Sequence, residues 1–205
     1  MKATTPRVMK EKASLIKLYL TPRSPFARRV RLALRRLDIE HEEVFVDIFN
    51  PPIEYLAKQP AATVPILELG DKSIIPDSSL ILDYLHENYG QKIWTNPSWQ
   101  EKTASVWCVA MMTNAVNYFL ETQKKNPDEE TLTEAVNNIK RLLEKCMQLP
   151  GSTWMNSQVA TQAGWDYLVA IEYVKFRLGT IRFDSIDFFK KIESFEISVL
   201  TRPTK

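Results

Sequence analysis

Residues 64–85 read VPILELGDKSIIPDSSLILDYL, and the local pattern changes character along them. Val64 to Leu69 is a short apolar β-type run, Gly70-Asp71 is a turn pair, and Lys72 to Ile75 resumes a strand. Asp77 and Ser78 supply capping side chains ahead of a helical stretch over 79–88, with Leu80, Ile81, Tyr84 and Leu85 as its apolar stripe. Upstream, LIKLYL (15–20) is another β-type run, stopped by Thr21-Pro22. Phe26, Val30, Ala33, Leu34 and Leu37 then recur at spacings of three and four, which predicts a helix with arginines on its other face. EVFVDI (43–48) alternates as a second strand, Asn50-Pro51-Pro52 must be irregular, and 53–58 suits a short helix. The order to residue 90 is therefore β-α-β-α-β-β-α.

A strand–helix–strand unit followed by a hairpin and a closing helix is the thioredoxin-like arrangement. After residue 90 the strand signals largely stop. Helical patterns occupy 98–123, 128–148, 161–178 and 183–195, punctuated by Pro127 and Pro150-Gly151. The expected fold is thus α/β followed by all-α. Residues 15–90 form a thioredoxin-like domain with a mixed four-stranded sheet, 91–96 a linker, and 98–205 a helical bundle. Residues 1–14 read as a flexible N-terminal extension.

Composition narrows the function classes. The chain has 205 residues, 44% hydrophobic and 25% charged, as in an ordinary soluble protein. Lys plus Arg is 27 against 25 for Asp plus Glu, and a net charge of +2 gives no reason to expect nucleic acid or an anionic membrane as partner. No run approaches the ~18 apolar residues of a membrane span. Residues 1–14 contain no apolar block, so no secretory signal is expected. Cys108 and Cys146 are too few for a disulfide framework or a structural zinc site, and His41 and His86 too few for a multi-histidine centre. A cytoplasmic protein without metal is expected.

Candidate chemistry lies in three segments: TPRSPFARRVR (21–31), Thr63-Val64-Pro65 and Pro76-Asp77-Ser78. Ser24 opens a helix, where free N–H groups and the dipole favour an anion, and its hydroxyl is a hydrogen-bond donor. Taken alone it is equally an ordinary N-cap. Val64-Pro65 alone reads as a trans proline at the start of an edge strand, and Asp77-Ser78 alone as another capping pair.

In this order and spacing the three segments resemble the cytosolic glutathione transferases, most of all small bacterial members with serine at the active position. The resemblance is strong over 15–90 and weaker over 98–203. It implies a glutathione transferase that conjugates the glutathione thiolate to an electrophilic, largely apolar small molecule, with Ser24 as catalytic residue. It implies a cis Val64-Pro65 bond that leaves the backbone of Val64 free to pair with an extended peptide. The glutathione-binding set it implies is Ser24, Phe26, Thr63, Val64, Pro65, Asp77 and Ser78, with Asp77 and Ser78 on the γ-glutamyl end. Trp107 and Met111, beside Met112 and Tyr118 on the helix at 98–123, would face the electrophile, although such a stripe is more often core. A homodimer is implied, with glutathione as co-substrate and no metal.

The chain also departs from the family. Ala62-Thr63 stands where Gly-Lys is common, so one cationic contact to glutathione is missing. Thr161-Gln-Ala-Gly164 ends in glycine where a capping box usually ends in Asp. The Gly164 departure bears on local stability and not on function, whereas Ala62-Thr63 leaves open a weakly catalytic or non-catalytic module that binds glutathione or a partner. A glutaredoxin-like oxidoreductase fits poorly, since Ser24 and Ala27 stand where that chemistry needs cysteine. Arg28, Arg29, Arg31, Arg35 and Arg36 read as a solvated basic face, and Cys108 and Cys146 as inert packing residues.

Overall fold

The computed structural model describes residues 16–90, 97–149 and 161–179. The expected extension at 1–14, linker at 91–96 and last helix at 183–195 lie outside the described residues. Strand β1 (Ile16–Leu20) is followed by α1 (Pro25–Arg36), β2 (His41–Phe45), α2 (Ile53–Leu56), β3 (Ile66–Glu68), β4 (Ile74–Pro76) and α3 (Ser78–Tyr89). Helices α4 (Trp99–Thr122), α5 (Glu129–Gln148) and α6 (Gln162–Leu178) complete the described chain. The strand order is β2-β1-β3-β4; β1 pairs in parallel with β2 and antiparallel with β3, and β3 antiparallel with β4. This is the mixed sheet of a thioredoxin-like domain, followed by a helical region.

Helix α1 starts where Ser24 accepts the N–H of Ala27 (3.1 Å) and Pro25 takes a position that needs no donor. It ends with Asp38 at φ 52° and the N–H of Ile39 reaching back to the Leu34 carbonyl (3.0 Å). One face, Ala27, Val30, Ala33 and Leu34, packs on Leu18, Leu20 and Leu67 of the sheet and on Ile81, Leu82 and Leu85 of α3. The other face is only partly open to water. Leu32 and Phe26 belong to the core of the helical region, so α1 is buried on two sides.

The expectation of a solvated basic face is therefore overturned for Arg28 and Arg29, which are 3% and 2% exposed. The stripe of α3 shifts as well: Leu80 is half exposed, and Ile81, Leu82 and Leu85 carry the packing. Strand β2 ends at Phe45 rather than at residue 48, although the N–H of Val46 still bonds the Leu20 carbonyl (2.9 Å).

The helical region is capped by short polar side chains. Ser98 and Glu101 form a reciprocal box at α4, and Asp128 caps α5 by accepting the N–H of Thr131 (3.2 Å). Thr161 caps α6 through the N–H of Gly164 (3.2 Å), with no return bond, as the glycine requires. Ala104, Cys108, Met111, Met112, Ile139, Leu143, Cys146 and the apolar run of α6 form one core. Each such aliphatic side chain contributes about 1.5–3 kcal/mol by leaving water. No helix among the described residues is long and apolar enough to cross a membrane.

Candidate active site at one end of the sheet

Sheet register decides which loops meet. Tyr19 pairs with Ile66, and Ile66 with Pro76. The end of β1, the start of β3 and the end of β4 therefore share one edge of the sheet. The β1–α1 turn with Ser24, the Val64-Pro65 segment and Asp77-Ser78 all leave the sheet there.

At α1, Ser24 is half-buried and its N–H is held by the Thr21 carbonyl (3.1 Å). Its Oγ accepts from Ala27, so the hydroxyl proton remains available to an incoming group. Phe26 packs into the helical core. The Val64-Pro65 bond is cis, and Val64 is largely buried. Among the described residues its backbone N–H and C=O take part in none of the hydrogen bonds of the sheet or of the turns. The Thr63 carbonyl accepts the hydroxyl of Tyr55 (2.6 Å), and the Thr63 Oγ1 accepts from Gln59 Nε2 (3.2 Å). At α3, Asp77 is exposed with φ 66°, and one carboxylate oxygen accepts the N–H groups of Ser79 (2.7 Å) and Leu80 (3.3 Å). Ser78 is 2% exposed, and its Oγ accepts from Arg29 Nη1 (2.9 Å).

Behind these loops stand two polar assemblies that sequence reasoning missed. In the first, Arg29 makes a bidentate pair with Asp166 of α6, Nε to Oδ1 at 2.7 Å and Nη2 to Oδ2 at 2.8 Å. Its Nη1 also reaches Ser79 (3.3 Å) and its Nη2 Ser105 (3.5 Å), while Gln162 and Ser105 donate to the same carboxylate. Burial works to lower the Arg29 pKa, but the charge and hydrogen bonds of Asp166 outweigh it, and the net shift is upward. Arg28 pairs with Glu172, six residues after Asp166 on α6, and Arg31 with Glu43 of β2. Arg36 lies over the Trp165 ring at 4.9 Å, where burial pushes its pKa down to about 10.

In the second assembly, buried Glu68 accepts from Tyr19 (2.9 Å), Lys58 and Lys72 (3.0 Å). Lys58 donates to the Tyr19 hydroxyl (2.6 Å), and the Tyr19 and Tyr55 rings lie 5.7 Å apart. Burial, with Tyr19 second, pushes the Tyr55 hydroxyl up to about 12, so it stays a donor to Thr63. The hydrogen bond from Lys58 leads the causes that bring Glu68 down to about 2. A carboxyl depressed on folding stabilises the fold above its unfolded pKa and loses that contribution as pH falls toward the folded value. Glu68→Gln is accordingly expected to flatten the decline of the urea midpoint between about pH 5 and pH 2. An unchanged slope would remove Glu68 from acid stability.

The expected electrophile pocket needs correction. Met111 is fully buried in the helical core and presents no surface to a cleft, while Trp107 is partly buried against that core. Cys108 and Cys146 are free and buried, and burial first, Cys146 second, raises the Cys108 thiol, so little thiolate forms. No metal-binding cluster occurs among the described residues.

A thioredoxin-like domain that gathers a helix-capping serine, a cis Val-Pro and an Asp-Ser pair at one sheet end, with a helical region behind it, defines the class. Residues 18–93 match the family described as glutathione S-transferase, N-terminal domain. Over those residues the chain is similar to the N-terminal domain of the glutathione S-transferases. It is 35% identical over 81 residues to glutathione S-transferase omega-2 of Homo sapiens, covering 39% of this chain and 33% of that protein. It is 35% identical over 65 residues to a probable cytosolic glutathione S-transferase DHAR1 of Oryza sativa, 32% of this chain and 30% of that protein. The chain thus spans about a third of the length of these relatives. A glutathione transferase family member of Pseudomonas fluorescens with bound glutathione superposes with TM-score 0.80 at 20% identity, over 93% of this chain and all of that one. A glutathione S-transferase of Methylobacterium radiotolerans in complex with glutathione sulfonate gives 0.82 at 18%, over 93% and 95%.

Proposed function

We propose that this protein is a glutathione transferase in which Ser24 donates a hydrogen bond to the glutathione sulfur and holds it as thiolate for attack on a small, largely apolar electrophile. The observation that carries the reading is the convergence of three partly unsatisfied polar groups on one sheet end. These are the free hydroxyl proton of Ser24, the unpaired backbone of Val64 and the α3 N-terminus at Ser78. An extended γ-glutamyl tripeptide presents matching groups: a thiol, a peptide backbone for Val64, and an α-carboxylate with an amine for Ser78 and Asp77. Residues 15–90 are the glutathione-binding domain on this reading and 98–205 the helical one, with Phe26, Thr63 and Pro65 shaping the cleft. Thr63 presents a neutral side chain already held by Gln59, which favours weak binding at that end.

Ser78→Ala is expected to weaken glutathione by about 1.5–3 kcal/mol, the loss of a hydrogen bond to a charged group. Calorimetry showing unchanged affinity in a folded variant would take Ser78 out of the site. A steady-state assay with a general aromatic electrophile separates a transferase from a binding module on the same fold: binding without turnover establishes the second.

The same reading places the protein in the cytoplasm, in detoxification, and in a two-fold homodimer. Two free thiols suit a reducing compartment. Exposed Phe45, Phe49 and Ile53 in the first domain and exposed Trp99, Val106 and Leu120 on α4 are apolar side chains that a two-fold contact would cover. Sedimentation at micromolar concentration is expected to show a dimer; a species of 23.7 kDa alone would refute it.

A further inference from the structure

We propose that Arg29 is a positioning residue for the γ-glutamyl carboxylate: it occupies the acceptor side of the Ser78 hydroxyl and so turns the hydroxyl proton outward. The inference rests on the glutathione reading of the site and adds a residue to it. A serine hydroxyl has one proton to give and lone pairs to receive. Arginine can only donate, so the 2.9 Å contact from Nη1 must be received by Ser78 Oγ, and the proton of that hydroxyl must go elsewhere. No acceptor for it is found among the described residues, although Ser78 is 2% exposed. A buried hydroxyl at a helix N-terminus whose proton finds no acceptor among the described residues can donate to an anion, and the carboxylate of an α-amino acid group has the matching charge.

The guanidinium is not free to choose another orientation. Asp166 holds it through two bonds, and Ser105 and Gln162 hold Asp166. Arg29 thereby polarises the Ser78 O–H with a full charge, and α6 fixes the direction of that charge. Lysine has no planar fork and cannot pair with Asp166 on two edges while reaching Ser78.

Calorimetry on the full chain tests this with two ligands, glutathione and γ-aminobutyryl-cysteinylglycine, which is glutathione without the α-carboxylate. Arg29→Lys is expected to weaken glutathione about tenfold or more, roughly 1.4 kcal/mol, and to change the analogue less than about twofold. In a Ser78→Ala background the same substitution should have no further effect on glutathione. Arg29→Met combined with Asp166→Leu replaces the buried pair by an apolar one that folds, and should show the same ligand selectivity. Equal losses for both ligands, or wild-type affinity in a folded Arg29→Lys protein, would overturn the proposal alone. Failure of the wild-type protein to bind glutathione would overturn the glutathione reading and this inference with it.

Discussion

Asp166→Ala is expected to cost about 3–5 kcal/mol of folding stability, the penalty for leaving a buried charge without its partner. Arg29 is 2% exposed and Asp166 fully buried, so no water compensates the guanidinium once the carboxylate is gone. The hydroxyls of Ser78, Ser79 and Ser105 would remain as neutral acceptors, and none carries the charge needed. Replacing both members by Met and Leu is expected to recover most of the loss, because the desolvation cost then vanishes with the charges. Urea unfolding of the wild type, the single variant and the double variant measures all three states. A single variant within about 1 kcal/mol of wild type would mean that the guanidinium relaxes into solvent, and the account of the interface would be wrong.

The second large effect concerns chemistry. On the proposed reading Ser24→Ala removes the hydrogen-bond donor to the sulfur and is expected to raise the pKa of bound glutathione, each unit corresponding to ~1.4 kcal/mol. At neutral pH each unit lowers the thiolate fraction, and with it thiolate-limited turnover, by about tenfold. Affinity, which the proposed reading assigns to Val64, Asp77 and Ser78, should change less. The thiolate absorbance of the complex, titrated against pH, reads the shift directly. Ser24→Cys should trade conjugation for mixed-disulfide chemistry, since a helix N-terminus favours a reactive thiolate. Thr21 is the rival. If Thr21→Ala abolishes thiolate formation while Ser24→Ala leaves it intact, the roles are reversed.

Most of the sheet and the three site loops were legible because each depends on local signals. The Gly70-Asp71 turn, the caps at Ser24, Asp77 and Thr161, and alternating apolar residues all act within a few positions of themselves. The arginines were misread for the opposite reason. A charged face on a helix is solvated unless something distant covers it, and the cover here is Asp166, 137 residues away. One signal was present in the chain. Residues 163–174 read AGWDYLVAIEYV, and two carboxylates inside so apolar a run require cations from elsewhere. Arg28 and Arg29 supply those cations, to Glu172 and Asp166 respectively. Met111 was misplaced on the same account: a methionine on a helix facing two neighbours is core, and only the packing of α5 and α6 decides how many neighbours there are.

The pairing of Arg29 with Asp166 also has a meaning in time. At about 5–20 residues per second a ribosome needs roughly 7–27 s to travel from one to the other. Through that interval the emerging sheet and α1 carry two guanidiniums and the side chains of Phe26 and Leu32 on a surface whose cover has not yet been made. The first domain is therefore born with a sticky, cationic flank. Its yield in the cell should depend on the pace of translation through the helical half, and on whatever shields that flank in the meantime.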